Sequence, residues 1–200
     1  MIRAAVFDIG GVLEIVDDDL WQDHWISRWE GLAGAEPGAL RRSPFVGHSE
    51  ADFRARVVTA LSLTAEQADR AMAEWWDAYC GELDVPLRDF VASLSRSGLI
   101  VAALSNSGDG ARREEQRRYN FEELFDDLVY SHEVGVEKPD PAIYRLTEER
   151  LGVLPHEIVF LDDRAGAIEG ATAAGWHGVL HTSTPESIAA IQRTIASPPH

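Results

Sequence analysis

Three apolar stretches of the sequence each end in polar side chains. The stretches end at Asp8, at Ser105 and Asn106, and at Asp162 and Asp163. Short apolar stretches of this kind are typical of strands that are buried on both faces of a parallel sheet. Open α/β sheets bind ligands at the carboxyl ends of their strands, so we expect these polar groups to meet at one edge of a sheet.

Three of these side chains, Asp8, Asp162 and Asp163, are carboxylates, and together they predict a metal site. Like charges held close together raise one another's pKa unless a cation lies among them. Mg²⁺ suits such a site, because it binds a few carboxylates and keeps its other positions for water and phosphate oxygens.

Ser105 and Lys138 predict a phosphate cradle beside this metal site. Lys138 is the one lysine among 18 basic residues, the other 17 being arginines, which favours a position that needs a compact ammonium. The ammonium would also offset the charge of the carboxylates. Gly10 and Gly11, just after Asp8, allow the backbone to approach a ligand and to point its N–H groups at it.

The elements that must position these residues alternate between strands and helices along the chain. This alternation predicts an α/β fold with a Rossmann-like, doubly wound parallel sheet. The predicted core consists of residues 1–13 and 84–200 of the 200-residue chain. Residues 14–83 show helical patterns throughout, which predicts an all-helical cap subdomain inserted between the first strand and the rest of the sheet.

Two sequence signals support helices in this insert. Trp21, Trp25 and Trp29 recur every four residues, so they lie on one helix face, and such a stripe favours packing over ligand binding. Thr64 followed by Gln67 is a capping box at the start of a second helix.

Composition excludes several classes of partner. The formal net charge of −16 and the isoelectric point near 4.7 oppose binding to nucleic acid and to anionic membranes. No apolar run is long enough to span a bilayer, and the first residues do not resemble a signal peptide. The one cysteine, Cys80, excludes an internal disulfide, and we expect a buried thiol in a cytoplasmic protein.

Four motifs resemble those of the haloacid dehalogenase-like (HAD) hydrolases, in the same order and with similar spacing. They are Phe-Asp-Ile-Gly-Gly-Val-Leu at 7–13, Leu-Ser-Asn at 104–106, Lys-Pro-Asp-Pro-Ala-Ile-Tyr at 138–144 and Phe-Leu-Asp-Asp at 160–163. The helical insert lies where this superfamily carries its first type of cap. The resemblance implies a Mg²⁺-dependent phosphatase that acts on a small phosphorylated metabolite.

The resemblance also implies a role for each matching residue. Asp8 would be the nucleophile that takes up the phosphoryl group as an aspartyl-phosphate. The metal ligands or ligand holders would be Asp8, Gly10 through its backbone carbonyl, Asp162 and Asp163. The residues that hold the phosphoryl oxygens would be Ser105, Asn106 and Lys138.

The sequence departs from the HAD pattern at two positions. Most phosphatases of this superfamily have a second aspartate, a general acid, where this chain has Gly10, although some members with a cap also have glycine there. Acid–base help typically contributes about 10²–10⁴ in rate, so its source is an open question. His48, in a predicted cap loop, is one candidate. Ala167 stands where the family often has Asn or Asp, which weakens support for the metal.

Two alternatives to the phosphatase remain open from the sequence. A haloacid dehalogenase would use Asp8 to attack carbon without a metal, but the acidic pair Asp162 and Asp163 argues against it. A non-catalytic protein that binds a phosphorylated metabolite would explain Gly10, but Asp8 and Lys138 argue against it.

Overall fold

The computed structural model describes residues 1–16, 20–40 and 49–197. Its centre is a parallel sheet of five strands within these described residues. The strands are β1 (Ala4–Phe7), β4 (Ile100–Ser105), β5 (Asp127–Tyr130), β6 (Ile158–Asp162) and β7 (His177–Leu180). They lie in the order β5-β4-β1-β6-β7. The predicted Rossmann-like α/β fold is therefore confirmed.

The register of the central strand explains why the polar groups meet. Phe7, the last residue of β1, pairs with Ala103 of β4 on one side and with Leu161 of β6 on the other. Asp8 therefore lies beside the carboxyl ends of both neighbouring strands. The chain adds β4 and β5 on one side of β1 before it crosses to β6, so the strand order reverses at β1, where ligands bind in such sheets.

Helices cover both faces of the sheet. Alternate residues of a strand point to opposite faces, so the apolar side chains of the strands need cover on both sides. Ala5 and Phe7 belong to one apolar cluster, whereas Ala4 and Val6 belong to the other. The core helices are α4 (Val85–Arg96), α5 (Ala111–Tyr119), α6 (Phe121–Leu124), α7 (Ser131–Val134), α8 (Pro141–Leu151), α9 (Ala165–Ala173) and α10 (Thr184–Ala196). The sequence did not predict the four-residue helices α6 and α7 or the 3₁₀ turn at Pro155–Glu157, because a single turn is too short to show a periodic pattern of apolar residues.

Three helices form the cap: α1 (Trp21–Ala33), α2 (Glu50–Leu61) and α3 (Ala65–Cys80). The capping box at the start of α3 is present, with Thr64 N–H donating to Gln67 at 2.9 Å and Gln67 N–H donating to Thr64 at 3.3 Å. The tryptophan stripe packs inside the cap, where the Trp25 and Trp75 ring centres are 4.9 Å apart. Cys80, at the end of α3, is buried as expected.

A short antiparallel ribbon connects the cap to the core. It consists of β2 (Glu14–Ile15) and β3 (Glu82–Leu83), at the two ends of the insert. The prediction that 14–83 is helical throughout is therefore wrong at the two ends of this segment, because strands of two residues leave no alternation to detect. No helix among the described residues is both long and apolar enough to cross a membrane.

Two glutamates are fully buried where the ribbon meets the core. Glu14 in β2 and Glu115 in α5 are both 0% exposed. Tyr130 donates a hydrogen bond of 2.5 Å to Glu115, whereas both carboxylate oxygens of Glu14 lack a hydrogen-bond partner among the described residues. Burial raises the pKa of Glu115 to about 7, although the hydrogen bond from Tyr130 opposes this shift.

Glu115→Gln is expected to change how the free energy of unfolding depends on pH. The folded state holds the proton on Glu115 more tightly than the unfolded state does, so the contribution of this group to stability is fully present below pH 4.5 and is lost as pH rises through 7. Relative to wild type, the uncharged variant should gain on the order of 3 kcal/mol in stability between pH 4.5 and pH 8. Urea unfolding at several pH values, without metal, measures this difference.

Glu123→Gln is the matched control, because Glu123 is an exposed glutamate in the neighbouring helix α6. Its unfolding free energy should stay within about 0.5 kcal/mol of wild type at each pH. If Glu115→Gln behaves like this control, the buried carboxyl group does not govern the pH dependence.

Candidate active site

A cavity of about 730 Å³ lies at the carboxyl edge of the sheet, beneath the cap. The predicted site residues that line it are Asp8, Gly10, Ser105, Asn106, Lys138 and Asp163. The core adds a wall of small residues, 165–167, and the cap side adds Val16, Trp21 and Tyr79. The cap wall was not predicted, because the tryptophan pattern of α1 indicated core packing and Tyr79 belongs to an ordinary amphipathic helix.

The three carboxylates come together as the sequence predicted. Asp8, Asp162 and Asp163 each present one carboxylate oxygen within 4.8 Å of the other two. Asp8 and Asp162 are buried, and Asp163 is exposed toward the cavity that it lines. The side chain of Asp162 is held from two directions, by Arg164 N–H at 2.7 Å and by the Lys138 ammonium at 2.7 Å.

The ammonium of Lys138 connects two of these carboxylates to the sheet. Its Nζ atom donates to the carbonyl of Leu104 at 2.8 Å and to Asp162 Oδ2, and it lies 2.9 Å from Asp8 Oδ1. Three acceptors around one small cation match the three N–H groups of an ammonium, whereas a planar guanidinium presents its donors in one plane. The preference for lysine at this position follows from that geometry.

Asn106 has a role that the sequence did not indicate. Its side-chain N–H donates to the carbonyl of Lys138 at 2.8 Å, and its side-chain oxygen accepts from the backbone N–H of Lys138 at 2.8 Å. Asn106 therefore fixes the backbone that carries the ammonium, across 32 residues of sequence. Its predicted contact with phosphate stays a prediction, as does the contact predicted for Ser105, which is buried at the end of β4.

The electrostatics of the site favour an additional cation. Burial raises the pKa of Asp8 to about 7; Lys138 lowers it and Asp162 raises it further. Burial and the charge of Asp162 also raise the pKa of Asp163. Burial alone would lower the pKa of Lys138, but the two carboxylates raise it above its usual value. The one ammonium thus leaves Asp8 with a net cost of ionisation, which a divalent ion among the oxygens would reduce.

The two glycines after Asp8 differ in their surroundings. Gly11 has a φ of +77°, and a Cβ atom there would lie 2.6 Å from Asp163 Oδ2, so only glycine lets the backbone approach the carboxylate. A Cβ atom at Gly10 would meet no described atom within 4 Å. The position of the missing general acid therefore faces open space in the cavity.

The structure describes one of the two remaining candidate residues, Ala167, but not the other, His48. Ala167 lines the cavity, and its carbonyl accepts a hydrogen bond of 2.8 Å from Tyr144, which ties α9 to α8. His48, the candidate cap acid, lies outside the described residues.

Comparison with known proteins places this site in a family. A family model described as haloacid dehalogenase-like hydrolase matches residues 2–175. The chain is 40% identical over 99 residues to the phosphorylated carbohydrates phosphatase of Thermotoga maritima, a match that covers 48% of this chain and 46% of that protein. It is 34% identical over 89 residues to (S)-2-haloacid dehalogenase 1 of a Pseudomonas species, covering 44% and 39% of the two chains. The matched regions thus span less than half of these two relatives.

A solved structure shows the same fold over most of its length. It is a HAD family enzyme from Bacteroides thetaiotaomicron, in complex with magnesium and inorganic phosphate. The TM-score is 0.71 at 22% sequence identity, and the match covers 91% of this chain and 95% of that one.

Gly11→Ala is expected to destabilise the protein and to weaken binding of Mg²⁺. The left-handed backbone at this position costs a residue with a Cβ atom about 1–2 kcal/mol, and the new methyl group would displace Asp163. Urea unfolding and calorimetric titration with Mg²⁺ measure the two effects. Gly10→Ala is the matched control, because its methyl group would enter open space. Equal Mg²⁺ affinity in the two variants would contradict the assignment of Asp163 to the metal site.

Proposed function

Because the chain belongs to the haloacid dehalogenase-like hydrolase family, we propose that it is a Mg²⁺-dependent phosphatase that acts on a small phosphorylated metabolite. One observation carries the proposal: a buried ammonium lies beside three clustered carboxylates, and the ammonium and two of these carboxylates, Asp8 and Asp163, line a single cavity. A lysine and an excess of acidic groups together suit a substrate that is itself an anion and that binds with a metal cation.

The donor set fits Mg²⁺. All three side chains offer hard carboxylate oxygens within 4.8 Å of one another, which is the ligand type that this ion prefers. Asp8, Asp162 and Asp163, with the carbonyl of Gly10, would hold the ion. When bound, Mg²⁺ supplies positive charge that neutralises the carboxylates and the phosphoryl oxygens.

Asp8 is the proposed nucleophile. Its Oδ1 atom accepts a hydrogen bond from Ile9 N–H at 2.8 Å and lies 2.9 Å from the Lys138 ammonium, so we assign the attack on phosphorus to Oδ2. A bond forms from this oxygen to phosphorus while the ester P–O bond breaks, and the leaving oxygen takes the electron pair. The leaving oxygen takes a proton from solvent. Water then attacks the phosphorus of the aspartyl-phosphate, and the bond between phosphorus and Oδ2 breaks with its electron pair returning to Asp8 as a free carboxylate, while the water protons leave with the phosphate. Ser105 and Lys138 would hold the phosphoryl oxygens in both steps. The Lys138 ammonium would turn one of its three N–H groups from Asp8 Oδ1 to a phosphoryl oxygen.

The leaving group must be compatible with Gly10, which cannot donate a proton. Substrates whose leaving group has a low pKa, such as acyl phosphates or an anomeric sugar phosphate, need the least protonation. The helical cap lies over the cavity, so only small molecules can enter it. Similarity to a phosphatase of phosphorylated carbohydrates supports a metabolite of this size.

Dehalogenation is the second candidate, because the chain also resembles (S)-2-haloacid dehalogenases. A dehalogenase would use Asp8 without a metal, and it has no need of the acidic pair at the end of β6. Chloride release from 2-haloacids in EDTA would support this activity over phosphate release. A protein that only binds phosphorylated metabolites would show neither activity.

Asp8→Asn is expected to abolish phosphate release, because the amide cannot form the covalent intermediate. Wild type should release phosphate from acyl or aryl phosphates with Mg²⁺, and EDTA should stop this release. The variant should lose on the order of 10⁴-fold in rate. Asp89→Asn, which changes an aspartate of a surface ion pair with Arg88, is the control and should keep full activity. Activity that survives Asp8→Asn would rule out the nucleophile.

Gly10→Asp is expected to increase turnover of esters with poor leaving groups, by about tenfold or more, because acid–base help is then available. The side chain has room in the cavity. Rates with an alkyl phosphate should rise, whereas rates with an acyl phosphate should change little. Gly10→Asn fills similar space without an ionisable proton and serves as the control. An equal response of the alkyl phosphate and the acyl phosphate would show that protonation of the leaving group does not limit turnover.

A further inference from the structure

A loop that begins at the predicted phosphate-binding residues also touches the cap. Residues 106–110 run from the end of β4, at Ser105, to the start of α5. Within this loop, Asp109 accepts a hydrogen bond of 2.9 Å from the backbone N–H of Glu50, the first residue of cap helix α2. The cap is therefore attached to the same loop that contributes to the floor of the cavity.

The side chain of Glu50 is shared between cap and core. Arg113, in the first turn of α5, donates one hydrogen bond to each Glu50 oxygen, both at 3.0 Å. On the cap side, the indole N–H of Trp76 donates to the same carboxylate at 2.7 Å. Gly110 makes this approach possible, because a Cβ atom there would lie 2.8 Å from the Trp76 ring.

We propose that Glu50 and Arg113 form a latch that holds the cap closed over the cavity, and that Arg113 is a positioning residue for the reaction. The latch consists of Glu50, Arg113, Asp109 and Trp76. It couples the position of helix α2 to the phosphate-binding loop without contact between Arg113 and the substrate. The kinetic part of this inference rests on the proposed phosphatase activity, whereas the structural part does not.

The strength of the latch suits a contact that opens in each catalytic cycle. The Arg113 side chain is 56% exposed and that of Glu50 is 26% exposed, so water screens the pair and its contribution is small. Helix α5 has further contacts with the cap toward the ribbon, where Tyr119 donates to the carbonyl of Gly81 and Arg118 donates to Asp77, both at 2.6 Å. Gly81 lies next to the strand β3, where the cap joins the core, so these contacts would hold the base of the cap when the latch opens.

Loss of the latch lowers the fraction of molecules in which the cap is closed. The apparent affinity for substrate falls by the same factor as this fraction, while bound substrate still meets an intact catalytic centre. For a pair with this exposure, Arg113→Ala should raise KM by about two- to fivefold and leave kcat within about twofold.

Arg117→Ala is the matched control. Arg117 is one turn further along α5 and pairs with Glu114 of its own helix, at 3.0 Å. The experiment measures kcat and KM for phosphate release by both variants, and hydrogen–deuterium exchange in peptides that cover residues 50–61. Exchange is measured in the free protein and with Mg²⁺ and inorganic phosphate. Arg113→Ala should speed exchange in the first turn of α2, and Arg117→Ala should not.

Glu50→Gln provides an independent variant, because it keeps the size of the side chain and removes its charge. The double variant Glu50→Gln, Arg113→Ala should have the KM of Arg113→Ala alone, since both changes break the same contact. Equal KM and equal α2 exchange for Arg113→Ala and Arg117→Ala would overturn the latch. So would a large loss of kcat at unchanged KM, which would place Arg113 in the chemistry.

Failure of the proposed function is distinguishable from failure of the latch. If wild type releases no phosphate from any ester, the phosphatase proposal is wrong. The exchange difference between the Arg113 and Arg117 variants still supports or overturns the latch in that case, because it needs no turnover.

Discussion

The ammonium of Lys138 lies between two buried carboxylates and a backbone carbonyl, and the charge balance of the site depends on this contact. Without the ammonium, Asp8 and Asp162 would face each other at the end of a sheet that excludes water. One ammonium does not neutralise the three clustered acids, since the pKa of Asp8 is still raised to about 7. This residual cost agrees with the proposal that a divalent cation, and with it an anionic substrate, binds here.

This contact depends in turn on the register of the sheet and on Asn106. Parallel pairing brings the ends of β1, β4 and β6 to one level, which sets the carboxylates and Leu104 around a common point. Lys138 comes from a connection that has no strand of its own, so its backbone needs a separate support. The two hydrogen bonds from Asn106 provide this support. An asparagine that resembles a phosphate ligand in sequence is thus also part of the scaffold for the lysine.

The cap meets the core through groups of very different polarity. Behind the cavity, Glu14 and Glu115 are fully buried, and burial favours their neutral forms. At the surface, Glu50 and Arg113 form a screened ion pair next to residues 106–110, the loop that follows β4. Burial makes the charge of the two glutamates sensitive to pH, whereas solvent screens the surface pair. The cap also contributes Trp21 and Tyr79 to the wall of the cavity.

The sequence by itself determined the α/β class, the helices between the first strand and the rest of the sheet, and the identity of the clustered acids, because periodicity, capping and the polar ends of apolar strands are encoded within a few neighbouring residues. Only the tertiary structure decided the ribbon at the base of the cap, the support of Lys138 by Asn106 and the contact of Glu50 with Arg113. These features join residues that are 32 to 69 positions apart. Burial and strand register bring such groups together, and neither leaves a local pattern in the sequence.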